Sequence, residues 1–296
     1  MKKVCVFLPF LLLGLSACQA PSPKEGLSLY ATCYPIYDFI CKVAGEKATV
    51  TNLVPPSSEP HEYEPTPKEF GKMSESDALF YNGLGMESWI DSLLKNPSSK
   101  EPRELAKKSH CLSEGIDVLK IEGIDDPHIW LDPQNAIKEM ETIKDVLVSI
   151  DEKNASTYRL NFENEAKKLE ALDQEATAAF SALENKNIVV AHAAFGYMAE
   201  AYGLTQHYVS GLSPDEEPTA QAMEKLIETV KETKVHAIYT EELFPSKIAD
   251  KLAQQTGCQV KLLYTLESLS QEQLSAKEDY LTLYRKNIQT IQEGAV

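Results

Sequence analysis

Two hydrophobic periods alternate along this chain. Runs of strand length occupy residues 27–33, 48–54 and 78–81, the second of them mostly β-branched. Between the first two, Ile36, Phe39, Ile40 and Val43 recur at helical spacing within 35–43, and Gly45 supplies the stop. Thr66 before Pro67 predicts a capped helix reaching about Ser76: the hydroxyl accepts from the first turn, and proline suits the first helical position. Residues 98–126 are polar and acidic and read as a connecting segment, which ends in Asp-Pro-His-Ile-Trp-Leu-Asp-Pro (126–133).

Beyond Pro133 neither Gly nor Pro occurs until Gly196. Ala136, Met140, Ile143, Leu147 and Ile150 mark one amphipathic helix, with Asp132 as its cap, and 151–154 break it. A second apolar stripe over 156–183 predicts a helix about 42 Å long at 1.5 Å per residue. It suits a coiled-coil partner or a rod across two domains, and the rod is the expectation. Strand and helix runs then alternate again: strands at 187–191, 235–239 and 259–264, helices after His192, at 219–231, at 245–255 and from about 271 to 292. The alternation predicts an α/β fold of two lobes, each a mainly parallel sheet flanked by helices, bridged by one long rigid helix. The divisions are an N-terminal lobe at 27–154, a linking helix at 155–184 and a C-terminal lobe at 185–296.

The N-terminus changes the setting. Lys2 and Lys3 precede a short apolar run interrupted by Pro9, and Leu-Ser-Ala stands before Cys18, the pattern of a secretory signal too short to span a bilayer comfortably. Cys at that place resembles the bacterial lipobox, in which the thiol carries diacylglycerol. The expectation is a lipoprotein: signal peptide 1–17, lipidation at Cys18, tether 18–26, and an extracytoplasmic body held to a bacterial membrane. A net charge of −16 excludes nucleic acid bound through phosphates and favours cations. Cys33, Cys41, Cys111 and Cys258 show no CxxC spacing, so no zinc–thiolate site is expected; the first two fall in apolar contexts that suit the core.

Candidate chemistry lies at strand ends, where parallel sheets collect ligands. His61 sits in a proline-rich loop past the second strand, His128 is pinned between two Asp-Pro steps, and His192 ends the strand that opens the second half. Three imidazoles with one carboxylate suit a four-coordinate Zn2+ site. Glu267, past the last strand, is the expected carboxylate, with a water as an alternative; Glu241, past the 235–239 strand, is expected to support a ligand from behind or to serve as the fallback fourth one. Glu62 and Glu217 are expected near the cleft. Trp130, Phe195 and Tyr197 are expected to pack, with Gly196 allowing close backbone approach. His110, His207 and His236 match no such position and are expected at the surface or in the core.

Five ordered segments, 59–67, 81–89, 126–133, 191–197 and 211–219, are similar to the metal-binding lipoproteins of zinc and manganese ABC importers, over nearly the whole mature chain. The resemblance implies one metal buried between two lobes, and a monomeric receptor, not an enzyme, that delivers its ion to a membrane permease driven by a cytoplasmic ATPase. Manganese-type members carry Glu where this chain has His192, so the resemblance implies Zn2+, with Mn2+ as runner-up. The family's usual fourth ligand is Asp, one methylene shorter than Glu267, and the His-rich loop of many zinc-type members has no counterpart here. A secreted zinc hydrolase is the competing class. It needs an open coordination position and a general base; the chain has no HExxH, and ligation by Glu267 leaves no open position.

Overall fold

The computed structural model describes residues 26–90, 100–214, 219–241, 243 and 247–295. The expected signal peptide, Cys18, nearly all of the tether, and Glu217 lie outside the described residues. Four parallel strands build the first lobe: β1 (Leu27–Ala31), β2 (Ala48–Asn52), β3 (Ala78–Tyr81) and β4 (Ser109–Cys111), in the order β2-β1-β3-β4. Helix α1 (Tyr34–Ala44) ends at Gly45, whose φ of 56° favours glycine. Helix α2 (Pro67–Ser74) opens as expected: Thr66 accepts from the Glu69 N–H and the Glu69 carboxylate accepts from the Thr66 N–H, a capping box contributing about 1 kcal/mol.

The segment 98–126 is more than a connection. It holds helix α3 (Lys100–Ala106), strand β4, and a hairpin of β5 (Lys120–Ile121) and β6 (Ile124–Asp125). These elements are short, and β4, Ser-His-Cys, is too brief to show a period of two.

The chain then runs through α4 (Pro133–Ile150) into α5 (Ala155–Ser181), the long helix between the lobes, about 40 Å at 1.5 Å per residue. Asp132 caps α4 by accepting from the Gln134 N–H at 2.8 Å. The second lobe contains β7 (Asn187–His192), α6 (Gly196–Tyr202), β8 (Thr205–Ser210), α7 (Ala220–Thr233), β9 (Ala237–Thr240), α8 (Lys247–Thr256) and β10 (Gln259–Leu262), its strands parallel in the order β10-β9-β7-β8. Strand β8 carries only Tyr208 and Val209 as large apolar residues, a signal too weak to mark it in the sequence.

The final predicted helix is two, α9 (Gln271–Ser275) and α10 (Tyr280–Gly294). The break has neither Gly nor Pro; Lys277 takes φ 58°, and Asp279 caps α10 by accepting from the Thr282 N–H at 2.9 Å. Helix α10 reaches back to the first lobe. The Tyr280 hydroxyl donates to Trp130 O at 2.5 Å, the Tyr284 hydroxyl donates to Leu131 O at 2.9 Å, and Lys42 of α1 pairs with Asp279 at 2.9 Å. One continuous core results, joining Phe39, Ile143, Leu172, Phe180, Tyr284 and Ile288 from four helices. Both α5 and α10 thus tie the lobes together. Among the described residues no helix is long and apolar enough to cross a membrane, and Cys33, Cys41, Cys111 and Cys258 are free, Cys33 buried and Cys41 half-buried.

Candidate metal centre

His61, His128, His192 and Glu267 converge where the carboxyl ends of the two sheets face each other. One ligand atom from each lies within 4.8 Å of all the others. The Nε2 atoms of His128 and His192 are 3.4 Å apart; Glu267 Oε1 is 3.0 Å from His128 Nε2 and 3.6 Å from His192 Nε2, and Glu267 Oε2 is 3.9 Å from His61 Nε2. Bonds of 2.0–2.1 Å to a tetrahedral zinc put ligand atoms about 3.3 Å from one another. The observed separations bracket that edge. His128, His192 and Glu267 are buried, while the His61 side chain keeps 12% exposure and forms the rim.

The outer nitrogens of the two buried rings are already taken. His128 Nδ1 donates to Asp126 Oδ1 at 2.7 Å, and His192 Nδ1 donates to Glu241 Oε1 at 2.5 Å; a carboxylate only accepts, so the proton is assigned to each Nδ1. Each Nε2 therefore faces the centre, the arrangement in which a carboxylate orients a metal-binding imidazole. His61 Nε2 and both Glu267 oxygens are buried without an aligned hydrogen bond, the 3.0 Å approach to His128 included.

In the metal-free chain this geometry demands positive charge. Burial lowers the pKa of His128, but Asp126 and Glu267 together outweigh it and raise it to about 9. His192 is likewise raised well above its ordinary value, burial being outweighed by Glu241 and Glu267. The carboxyl of Glu267 is held well below its usual range, because the imidazoles outweigh its burial. His61 is lowered to about 4, chiefly by burial, so its ring is neutral at pH 7. The Nε2 atoms of the two rings meet at 3.4 Å beside the Glu267 carboxylate. A divalent cation bound to both nitrogens would take the place of the proton between them and balance the carboxylate, so the donor set fits a zinc ion.

A family model described as "Zinc-uptake complex component A periplasmic" (ZnuA) matches residues 29–294. The chain belongs to this zinc-uptake family. Over 305 residues it is 36% identical to the zinc-binding lipoprotein AdcA of Streptococcus pneumoniae serotype 4, covering 99% of this chain but 61% of that protein, so it spans about three-fifths of that relative. It is 34% identical over 297 residues to the high-affinity zinc uptake system protein ZnuA of Bacillus subtilis, covering 93% of this chain and 90% of that one. The solved Zn(II)-bound ZnuA-like domain of S. pneumoniae AdcA superimposes with a TM-score of 0.79 at 36% identity, covering 91% of this chain and 99% of the other.

In this family member the fourth residue of the cluster, its one carboxylate, is Glu267. Glu241 lies behind His192 and orients it. Leu266, buried and immediately before Glu267, takes φ 65°, a conformation costing a residue with a Cβ about 1 kcal/mol or more. Trp130 does more than pack, since its indole N–H donates to Thr265 O at 2.8 Å. Tyr197 likewise donates its hydroxyl to Asp126 O at 3.0 Å. Glu62 is exposed, and His110, His207 and His236 stay outside the cluster.

Sequence reasoning missed two roles. Asp126 read as a shaper of the loop, and its place two residues before His128 was the available signal for an orienting carboxylate. Glu59 accepts from the His61 N–H at 3.0 Å, and its carboxyl is raised to about 8 by burial and then by the Glu267 charge. Gly196 fulfils its expected role, since a Cβ there would stand 2.6 Å from Asp126 Oδ2. Gly196→Ala is expected to push Asp126 off His128, destabilising the metal-free chain by about 1–3 kcal/mol and weakening zinc binding; urea unfolding with a parallel zinc titration checks both.

Proposed function

We propose that this chain is an extracytoplasmic, high-affinity zinc receptor that holds one Zn2+ with His61, His128, His192 and Glu267 and delivers it to the permease of an ABC importer. The observation that carries this reading is the convergence of three imidazoles and a carboxylate, one ligand atom of each within 4.8 Å of the others, with both buried rings oriented by carboxylates. Imidazole-rich donors favour Zn2+ over Mn2+, which remains the alternative cargo. With four protein ligands the site keeps no position for an attacking water, which disfavours a zinc hydrolase. The protein acts as a monomer of two lobes, 27–154 and 185–296, joined by the helix within 155–184. It is exported by its signal peptide and tethered to the membrane through lipid on Cys18.

Competitive Zn2+/Mn2+ titration of metal-free protein tests the reading. About one zinc per chain should bind, and manganese should not displace it; no uptake of zinc would overturn the proposal. The same calorimetry reports protons. His128 and His192 are both raised above their ordinary values in the metal-free chain, so zinc should release protons, seen as a dependence of the heat on buffer ionisation enthalpy. Affinity should rise with pH toward about 9, where His128 loses its proton unaided. The stability linkage has the opposite sign: protonated His128 stabilises the metal-free fold fully below about 6.5, and that contribution is lost as pH climbs through about 9.

A further inference from the structure

Among the described residues, segments 81–89 and 211–219 of the five family-like ones supply no ligand, yet the centre of 81–89 is buried and unusually shaped. Gly83, Leu84 and Gly85 are three consecutive residues with positive φ, at 83°, 56° and 86°. They turn the chain tightly after β3, so that the carboxylate of Glu87 folds back beneath its own loop. Glu87 Oε1 accepts from the Asn82 N–H at 2.9 Å and from the Thr32 hydroxyl at 2.5 Å, and Oε2 accepts from the Gly83 N–H at 3.0 Å. Thr32, Asn82 and Glu87 are all buried, where unmade bonds are expensive.

Two lines of contact lead from this loop to the metal centre. The Asn82 side-chain amide donates to Pro127 O at 2.8 Å, fixing the peptide that precedes His128. Thr32, held by Glu87, lies two residues before Tyr34, whose N–H donates to Glu267 O at 3.1 Å. One carboxylate therefore braces the segments of two ligands that come from different lobes.

We propose that Asn82 and Glu87 are positioning residues for zinc, setting the His128 and Glu267 segments in register from one buried loop. The inference rests on the zinc-binding reading. Neither residue belongs to the ligand cluster. A role confined to stitching β1 to β3 would affect folding alone, whereas positioning affects the geometry around the metal.

The test uses Asn82→Leu, which keeps the volume and removes the donor to Pro127, and Thr32→Val against Thr32→Ser, which remove and retain the hydroxyl on Glu87. Zinc Kd by chelator competition, the visible absorption of the Co2+-substituted protein, and the melting of the metal-free chain are read for each. Asn82→Leu should bind zinc about 10- to 100-fold more weakly, with altered Co2+ bands. Thr32→Val should show a smaller shift in the same direction, and Thr32→Ser should restore wild-type values. A folded Asn82→Leu with wild-type Kd and spectrum overturns the proposal, as does weaker binding with an unchanged Co2+ spectrum, which marks lost stability only. Should Asn82→Leu not fold, the threonine pair decides: Thr32→Val indistinguishable from wild type overturns the proposal, and a shift rescued by Thr32→Ser supports it. A wild-type chain that takes up no zinc refutes the receptor reading and this inference with it. A wild type that binds beside unaffected variants refutes the inference alone.

Discussion

His128→Ala should bind zinc about 10²- to 10³-fold more weakly than the wild-type chain. Four-ligand zinc sites hold the ion by roughly 10–16 kcal/mol, so an equal quarter share is about 2.5–4 kcal/mol, which converts to that range. The upper end is expected here. His128 is buried, lies 3.0 Å from Glu267, and is aimed by Asp126, so a replacing water would be neither pre-oriented nor easily admitted. The metal-free variant should suffer as well at pH 7, because the imidazolium that stands between Asp126 and Glu267 is gone and two buried carboxylates face each other uncompensated. Chelator competition gives the first effect and thermal melting of the metal-free chain the second. Zinc affinity within threefold of wild type would remove His128 from the ligand set.

Trp130→Ala should cost the metal-free fold about 3–5 kcal/mol, the usual loss for a fully buried large aromatic. The ring packs edge-on against His128, with centroids 5.5 Å apart and planes at 65°, so the cavity would open directly behind a ligand. Trp130→Phe separates two contributions. It keeps most of the ring but leaves Thr265 O, a buried acceptor two residues from Glu267, without its indole donor, a loss of about 1–3 kcal/mol. Zinc binding should weaken in both variants, since this bond links the His128 loop to the Glu267 segment. Urea unfolding of the metal-free variants, with zinc titration alongside, measures both. An unfolding midpoint like that of wild type for Trp130→Ala would refute the packing argument.

Legibility in the sequence followed the range of the interactions. Helix α2 could be placed from Thr66 and Pro67 and α4 from Asp132 and Pro133, because a cap acts within three residues. The three histidines stood out because each sits at a strand end or between prolines, both local signals. Glu267 could be put forward as the carboxylate only by its position past the last strand. What escaped depended on tertiary contact. Asn82 meets Pro127 across 45 residues, and no periodicity encodes such a meeting. Glu241 stood open as a ligand or as the support of one, and its contact with His192 across 49 residues makes it the support. Strand β4 is three residues long, and β8 is mostly polar, so neither shows a hydrophobic period. The break between α9 and α10 rests on a left-handed Lys277 and an Asp279 cap, inside a stretch whose apolar spacing continues as if unbroken.

The reach of α10 bears on when the centre comes into being. Tyr280 and Tyr284 hold the backbone of the His128 loop from 150 and 153 residues further along. As the polypeptide is made, His61, His128 and His192 all emerge well before the helix that steadies them. Closing loops of that size is entropically demanding, and an ion gathering ligands 64 residues apart would have to meet that demand before any core formed. On the proposed reading zinc would therefore join a chain already assembled, unlike the metal of a zinc finger, whose removal unfolds its domain. A protein that kept its shape without its ion could release that ion and be loaded again.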